Sequence, residues 1–186
     1  ALAGPEAAPT IPVLPSGVAF VSEIRGRAEV SNSSAVFENL PAEQLVTAGP
    51  GVMLRTLGGT SYVRLGLPNQ SILYLGPNNQ MELVEIEGAD GTWVTLHEGV
   101  VLTSSEGMEN SSVSVLAPSG VVARSSGSQL GAFWDLTQSQ FEVDCFEPVC
   151  EIIFPGGVSM QLAANQRMVV ALGGDVLGRS EEHTSE

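Results

Sequence analysis

The chain has 186 residues and a formal net charge of −14, with no lysine among its seven basic residues. A nucleic-acid binder needs a basic track against phosphate, so that class is excluded, and an anionic lipid surface would be repelled as well. Apolar residues at 43% supply one core and exclude a wholly disordered chain, while aromatics at only 5% leave that core to Val, Leu and Ile.

Ala1-Leu2-Ala3 has the small-residue character of a signal-peptide end or of the last residues of a membrane anchor. Gly4 to Pro15 is rich in Ala and Pro, as extended linkers are. Residues 1–16 are therefore expected to be a linker behind an export signal or anchor that itself lies upstream. No stretch is long and apolar enough to span a bilayer, so direct membrane insertion of the chain is not expected.

Val18 to Ile24 reads as a first strand and Gly26 to Val30 as a second, with Arg25 and Arg27 near the bend. Leu40 to Leu45 reads as one short helical turn. Gly49-Pro50-Gly51 is a tight turn before Val52 to Thr56. From Ser61 the pattern becomes regular. Ser61 to Leu67, Ser71 to Leu75, Gln80 to Glu87 and Thr92 to Leu96 alternate apolar with polar residues, and Gly, Pro and Asn clusters separate them. Period two with turn signals every ten or so residues is the mark of a strand-only fold. Val100 to Thr103, Val113 to Ala117, Val121 to Arg124, Ala132 to Leu136, Val158 to Leu162 and Met168 to Leu172 continue the series. Short connections favour antiparallel neighbours. The expected architecture is all-β, an antiparallel twisted sandwich or short β-solenoid of many short strands.

The two cysteines lie in Phe141-Glu142-Val143-Asp144-Cys145 and Cys150-Glu151-Ile152-Ile153-Phe154, which read as a hairpin with a four-residue loop. Facing residues of an antiparallel pair come within disulfide reach. A Cys145–Cys150 bond is expected, and with it an oxidising, extracytoplasmic location. Zinc would need more Cys or His nearby.

From Gly173 the periodicity stops, and residues 173–186 are expected to be a disordered tail. Arg179 to Glu186, read backwards into codons, fits a common short-read sequencing adapter, so this last stretch is expected to be read-through from an environmental read.

Residues able to carry chemistry are few. His97 stands without catalytic partners in a strand. Glu82, Glu85 and Glu87 precede a Gly-Ala-Asp-Gly turn but lack calcium-loop spacing. No catalytic, cofactor or metal residue is assigned, and the chain is not expected to be an enzyme. Trp93 and Trp134 are candidates for a binding surface, such as a sugar or peptide groove, although tryptophan also fills cores.

The order of these signals resembles the FecR-like domain, an all-β periplasmic module. Gly17-Val18 through Gly26-Arg27-Ala28-Glu29-Val30 resembles its opening, and Leu45 to Thr56 is similar to its "L-x-x-G-D-x-I-x-T" segment. Ser61 to Leu65 with Ser71 to Asn78 looks like its paired alternating strands. Leu96-His97-Glu98-Gly99-Val100-Val101, Val115 to Gly120, Gly127 to Leu130 and Leu162 to Gln166 follow in the family's order. The match covers roughly residues 17–172. It departs at Pro50, where the family has Asp, at Leu67 to Gln70 in place of a "D-G" turn, and at Ser128 and Leu130. In the family this domain passes an outer-membrane transporter's occupancy to a membrane-bound anti-sigma regulator. The resemblance implies a non-catalytic domain working by contact with an envelope protein or by signal sensing. The alternative is an envelope structural module, or one that binds cell-wall glycan.

Overall fold

The computed structural model describes residues 13–32, 35–88, 91–104, 112–147 and 149–181. Among these there is no helix long and apolar enough to cross a membrane. The strands are β1 (Val18–Ser31), β2 (Glu38–Asn39), β3 (Leu45–Thr47), β4 (Met53–Gly66), β5 (Ile72–Leu75), β6 (Gln80–Gly88), β7 (Gly91–Ser104) and β8 (Ser112–Leu116). They continue as β9 (Val122–Ser126), β10 (Gln129–Asp135), β11 (Gln140–Cys145), β12 (Cys150–Ile153), β13 (Ser159–Leu162), β14 (Gln166–Ala171) and β15 (Val176–Glu181). The expected all-β architecture is what the chain adopts.

All these strands belong to one hydrogen-bonded sheet. It closes on itself because β1, β4 and β7, 14 residues each, are bent in the middle. Side chains of a strand alternate between faces, so a bend that inserts a residue changes which set faces the core. In β7 the buried set is Thr92, Val94 and Leu96 before the bend and Val101 and Thr103 after it. In β4 it passes from Leu54 and Thr56 to Ser61, Val63 and Leu65. In β1 it passes from Ala19 and Val21 to Ala28, with register shifts against β4 on both sides of Ile24. Strands that change layers through bulges are how a sandwich makes its corners.

Each half of β7 starts a different layer. Its second half pairs with β5 and β10, and the first layer continues outward as β11, β14 and β15. Its first half pairs with β6 and, in parallel, with β8, and the second layer continues as β9, β12 and β13. Successive hairpins therefore alternate: β8–β9 joins the second layer, β10–β11 the first, β12–β13 the second and β14–β15 the first. The core fills the space between. Leu73, Leu130 and Val143 of the first layer and Val94, Val115 and Ile152 of the second are fully buried in one core cluster. Each such side chain contributes about 1.5–3 kcal/mol relative to exposure.

Gly99 makes the bend of β7. Its φ is +90°, and a Cβ there would stand 2.8 Å from the Asn79 Cα. Gly99→Ala is therefore expected to destabilise by about 2 kcal/mol, read as a lower urea midpoint at unchanged slope. Gly59→Ala, whose Cβ would meet nothing within 4 Å, should stay within about 0.5 kcal/mol of the parent.

Several local expectations are corrected. Residues 18–30 form one strand, because the bend at Gly26 is a bulge within β1. No helical turn forms over residues 40–45; Glu43 takes φ 62° and the Glu43 N–H donates to the Val21 carbonyl, which turns the chain into β3. The tail is not disordered throughout: β15 pairs with β14 from Gln166↔Glu181 to Val170↔Val176. The turn at Leu172 to Asp175 supports it, with Ala171 N–H donating to the Asp175 carbonyl. Residues 182–186 lie outside the described set.

The disulfide forms, but not across a hairpin. Strand β11 pairs with β10 and β14, while β12 pairs with β9 and β13, so the chain crosses from one layer to the other between them. The Cys145 and Cys150 Cα atoms are 5.8 Å apart and both residues are fully buried. Alternation in residues 141–154 is compatible with either arrangement, since both put Phe141, Val143 and Ile152 in the core.

Candidate functional site

The outer face of the first layer carries apolar groups where alternation calls for polar ones. Register places Arg64, Tyr74, Leu102, Gly131, Asp144 and Arg167 in one row across β4, β5, β7, β10, β11 and β14. The adjoining row holds Val100, Phe133, Glu142 and Val169. Two glycines let neighbouring side chains close down on this surface. A Cβ on Gly76 would run into Val100 Cγ1, and one on Gly131 would come within 3.3 Å of the Phe146 ring. Beside them lies an open groove of about 460 Å³, lined by Gly76, Val100, Leu102 and Gly131 and walled by Tyr62, Tyr74, Phe133 and Phe146.

Three of the four walls are held in place. The Tyr62 hydroxyl donates to Glu23, which pushes its pKa above the usual tyrosine value and keeps it protonated. Arg25 lies over the Tyr62 ring at 5.5 Å and pairs with Glu23 at 3.6 Å. Arg64 lies over Tyr74 at 5.9 Å and donates to the Ser22 hydroxyl at 2.9 Å. Phe146 follows Cys145 directly, and its N–H donates to the Gln129 carbonyl at 3.0 Å, so the disulfide crossing sets the ring over Gly131. Phe133 and Phe146 remain 36% and 37% exposed. The charged residues lining the groove are both acids, Glu142 and Asp144. Arg167 stands behind them on β14, 2.6 Å from Asp144 and 3.8 Å from Glu142.

The two tryptophans do not share a surface. Trp134 is 3% exposed and packs in the core, because its strand position faces inward opposite Phe141. Trp93 is half-buried on the outer face of the second layer, with Arg124 over its ring at 5.4 Å. The expected two-indole surface is corrected accordingly. His97 is half-exposed on β7, 3.7 Å from Glu82, and Glu82 also accepts from the Gly51 N–H at 3.2 Å. Among the described residues no group of three or more His, Cys, Asp or Glu converges to hold a metal. The groove is hard to read from the sequence because its aromatics are spread over four segments. The available signal was aromatic and aliphatic residues at outward positions, in Ser61-Tyr62-Val63, Leu73-Tyr74-Leu75 and the unbroken run Val100-Val101-Leu102.

A second cluster is structural. Glu29 on β1 is buried against Arg55, which donates to it at 2.7 Å and stacks on Phe37 at 3.7 Å, and Arg27 adds a contact at 3.0 Å. The Arg55 hydrogen bond, followed by that of Arg27, holds the Glu29 carboxyl below the ordinary value of 4.5. A lowered folded-state pKa stabilises the fold above the unfolded value, and that stabilisation is lost as pH falls through the folded one. Glu29→Gln should thus be less stable than the parent at neutral pH. The gap in urea midpoints should close on acidification below the ordinary carboxylate range; a gap independent of pH would disprove the ion-pair account.

No family model matches the chain, and no curated protein matches it. Its fold does match two crystal structures, at 1.65 and 2.50 Å resolution, of a candidate anti-sigma factor from Parabacteroides distasonis. Each aligns with a TM-score of 0.59 at 17% identity, covering 70% of this chain and 59% of that one. The chain thus spans less than two thirds of that protein's length. At this identity the likeness shows a shared fold, and a candidate anti-sigma factor is what this β domain is similar to.

Proposed function

We propose that the chain is the extracytoplasmic, FecR-like β domain of an anti-sigma-type regulatory system and works without catalysis, by contact with an envelope protein. The observation that carries this reading is the fold shared with the candidate anti-sigma factor over 70% of the chain. The ordered series of FecR-like segments supports it, and a buried disulfide is compatible with an oxidising compartment. Long-read sequencing of the source locus tests it. The expected result is a coding sequence that places a membrane span and a cytoplasmic helical segment on the same polypeptide, beside a sigma-factor gene. A bare signal peptide, or fusion to wall-binding repeats, would overturn the regulatory reading. A glycan-binding module now rests on Trp93 alone, since Trp134 is in the core.

A further inference from the structure

We propose that the groove on the outer face of the first layer docks an extended peptide segment of a protein partner, one that alternates apolar with cationic side chains. This rests on reading the chain as a protein-contact domain and names the surface and the chemistry of the contact.

The space fits such a segment. From β4 through β5, β7 and β10 to β11 there are four strand spacings, about 19 Å, which matches about six extended residues. The groove itself, about 460 Å³, leaves room for apolar anchors beside rings that are already held by Glu23, Arg64 and the disulfide crossing. Preorganised walls lower the ordering cost of binding. Half-exposed aromatic rings around a hollow are the usual centre of a protein contact. The strands beneath the groove are already paired on both sides, so recognition here is by side chains across the strands and not by addition of a strand to an edge. Charge selects the sign of the occupant. The charges that line the groove are the carboxylates of Glu142 and Asp144; Arg167 pairs with both from β14, so the sign of the wider field is set by a chain of net charge −14 without lysine. A cationic segment is drawn in, and an acidic one is repelled. The groove is open to solvent, which suits a chain that enters and leaves, where a small ligand is ordinarily enclosed on most sides.

The test is fluorescence anisotropy on the oxidised domain with a labelled hexapeptide alternating lysine with leucine and phenylalanine. Two analogues replace its lysines by glutamate or its apolar residues by serine. The lysine peptide should bind saturably, and either analogue should bind at least about tenfold more weakly, a difference of about 1.4 kcal/mol. Phe133→Ser, at a half-exposed position, should weaken binding about tenfold or more with an unchanged circular dichroism spectrum. Glu142→Gln should weaken it less and flatten its dependence on salt. Absence of saturable binding would overturn the proposal. So would equal binding of the glutamate peptide, indifference to Phe133→Ser, displacement by a small apolar probe that binds more tightly, or a groove-dependent dimer in sedimentation. The two readings fail separately. A sigma-factor locus without peptide binding removes only the groove proposal. Peptide binding without such a locus removes only the regulatory one.

Discussion

Phe141→Ala is expected to destabilise the domain by about 3–5 kcal/mol, the range for removing a buried phenylalanine. Phe141 is fully buried, opposite Trp134 on β10 and Val170 on β14. Strands on both sides hold the backbone, so the site cannot collapse around the hole. Domains of this size are stable by about 5–15 kcal/mol in total, so the variant should unfold at markedly lower urea with an unchanged slope. Phe133, on the next strand and the opposite face, provides the control. Its ring is 36% exposed on the groove, and Phe133→Ala should cost less than about 1 kcal/mol. Equal losses at the two positions would contradict the assignment of faces.

The second large effect belongs to the disulfide. Replacing Cys145 and Cys150 together by alanine should cost about 3 kcal/mol. About 2 kcal/mol of this comes from the unfolded-chain constraint of so short a loop, and about 1 kcal/mol from the space left by two buried sulfurs. Because the bond fixes the crossing that carries Phe146, the double variant should also lose peptide affinity in the groove. Both sulfur-bearing residues are fully buried, so reductant should leave the bond intact in native buffer and cleave it once urea opens the chain. Rapid thiol labelling of the native, non-reduced protein would show that the bond is absent.

The sequence carried the fold class plainly. Alternation over Ser61 to Leu96 could be read residue by residue, and each strand read there exists. Pairing was less legible, because alternation says which residues share a face and not which strand lies beside which. Residues 141–154 show this: their pattern fits a hairpin and a crossing between layers equally, and only the partners β9 and β14 decide. Residues 18–30 show the converse. Gly26 reads as a break, and a neighbour as long as β4 carries the strand through it as a bulge. Trp134 is ambiguous in the sequence because tryptophan chemistry suits core and groove alike, and its face follows from register with Gly99 and Phe141. The groove left a faint local trace, in the outward Tyr62, Tyr74 and Leu102, because its aromatics come from four segments far apart in sequence.

The alternation of hairpins between layers gives folding a direction in time. Each pair after β7 lands beside a strand already laid down, β8 and β10 against β7, β12 against β9 and β14 against β11. No strand in this second half waits for a partner later in the chain than its own hairpin or the next hairpin of its layer. Long-range pairing is ordinarily slow because chain ends must search for each other. Here the search is divided into short steps taken in the order of synthesis, which suits a polypeptide that emerges N-terminus first and must close its faces as it appears.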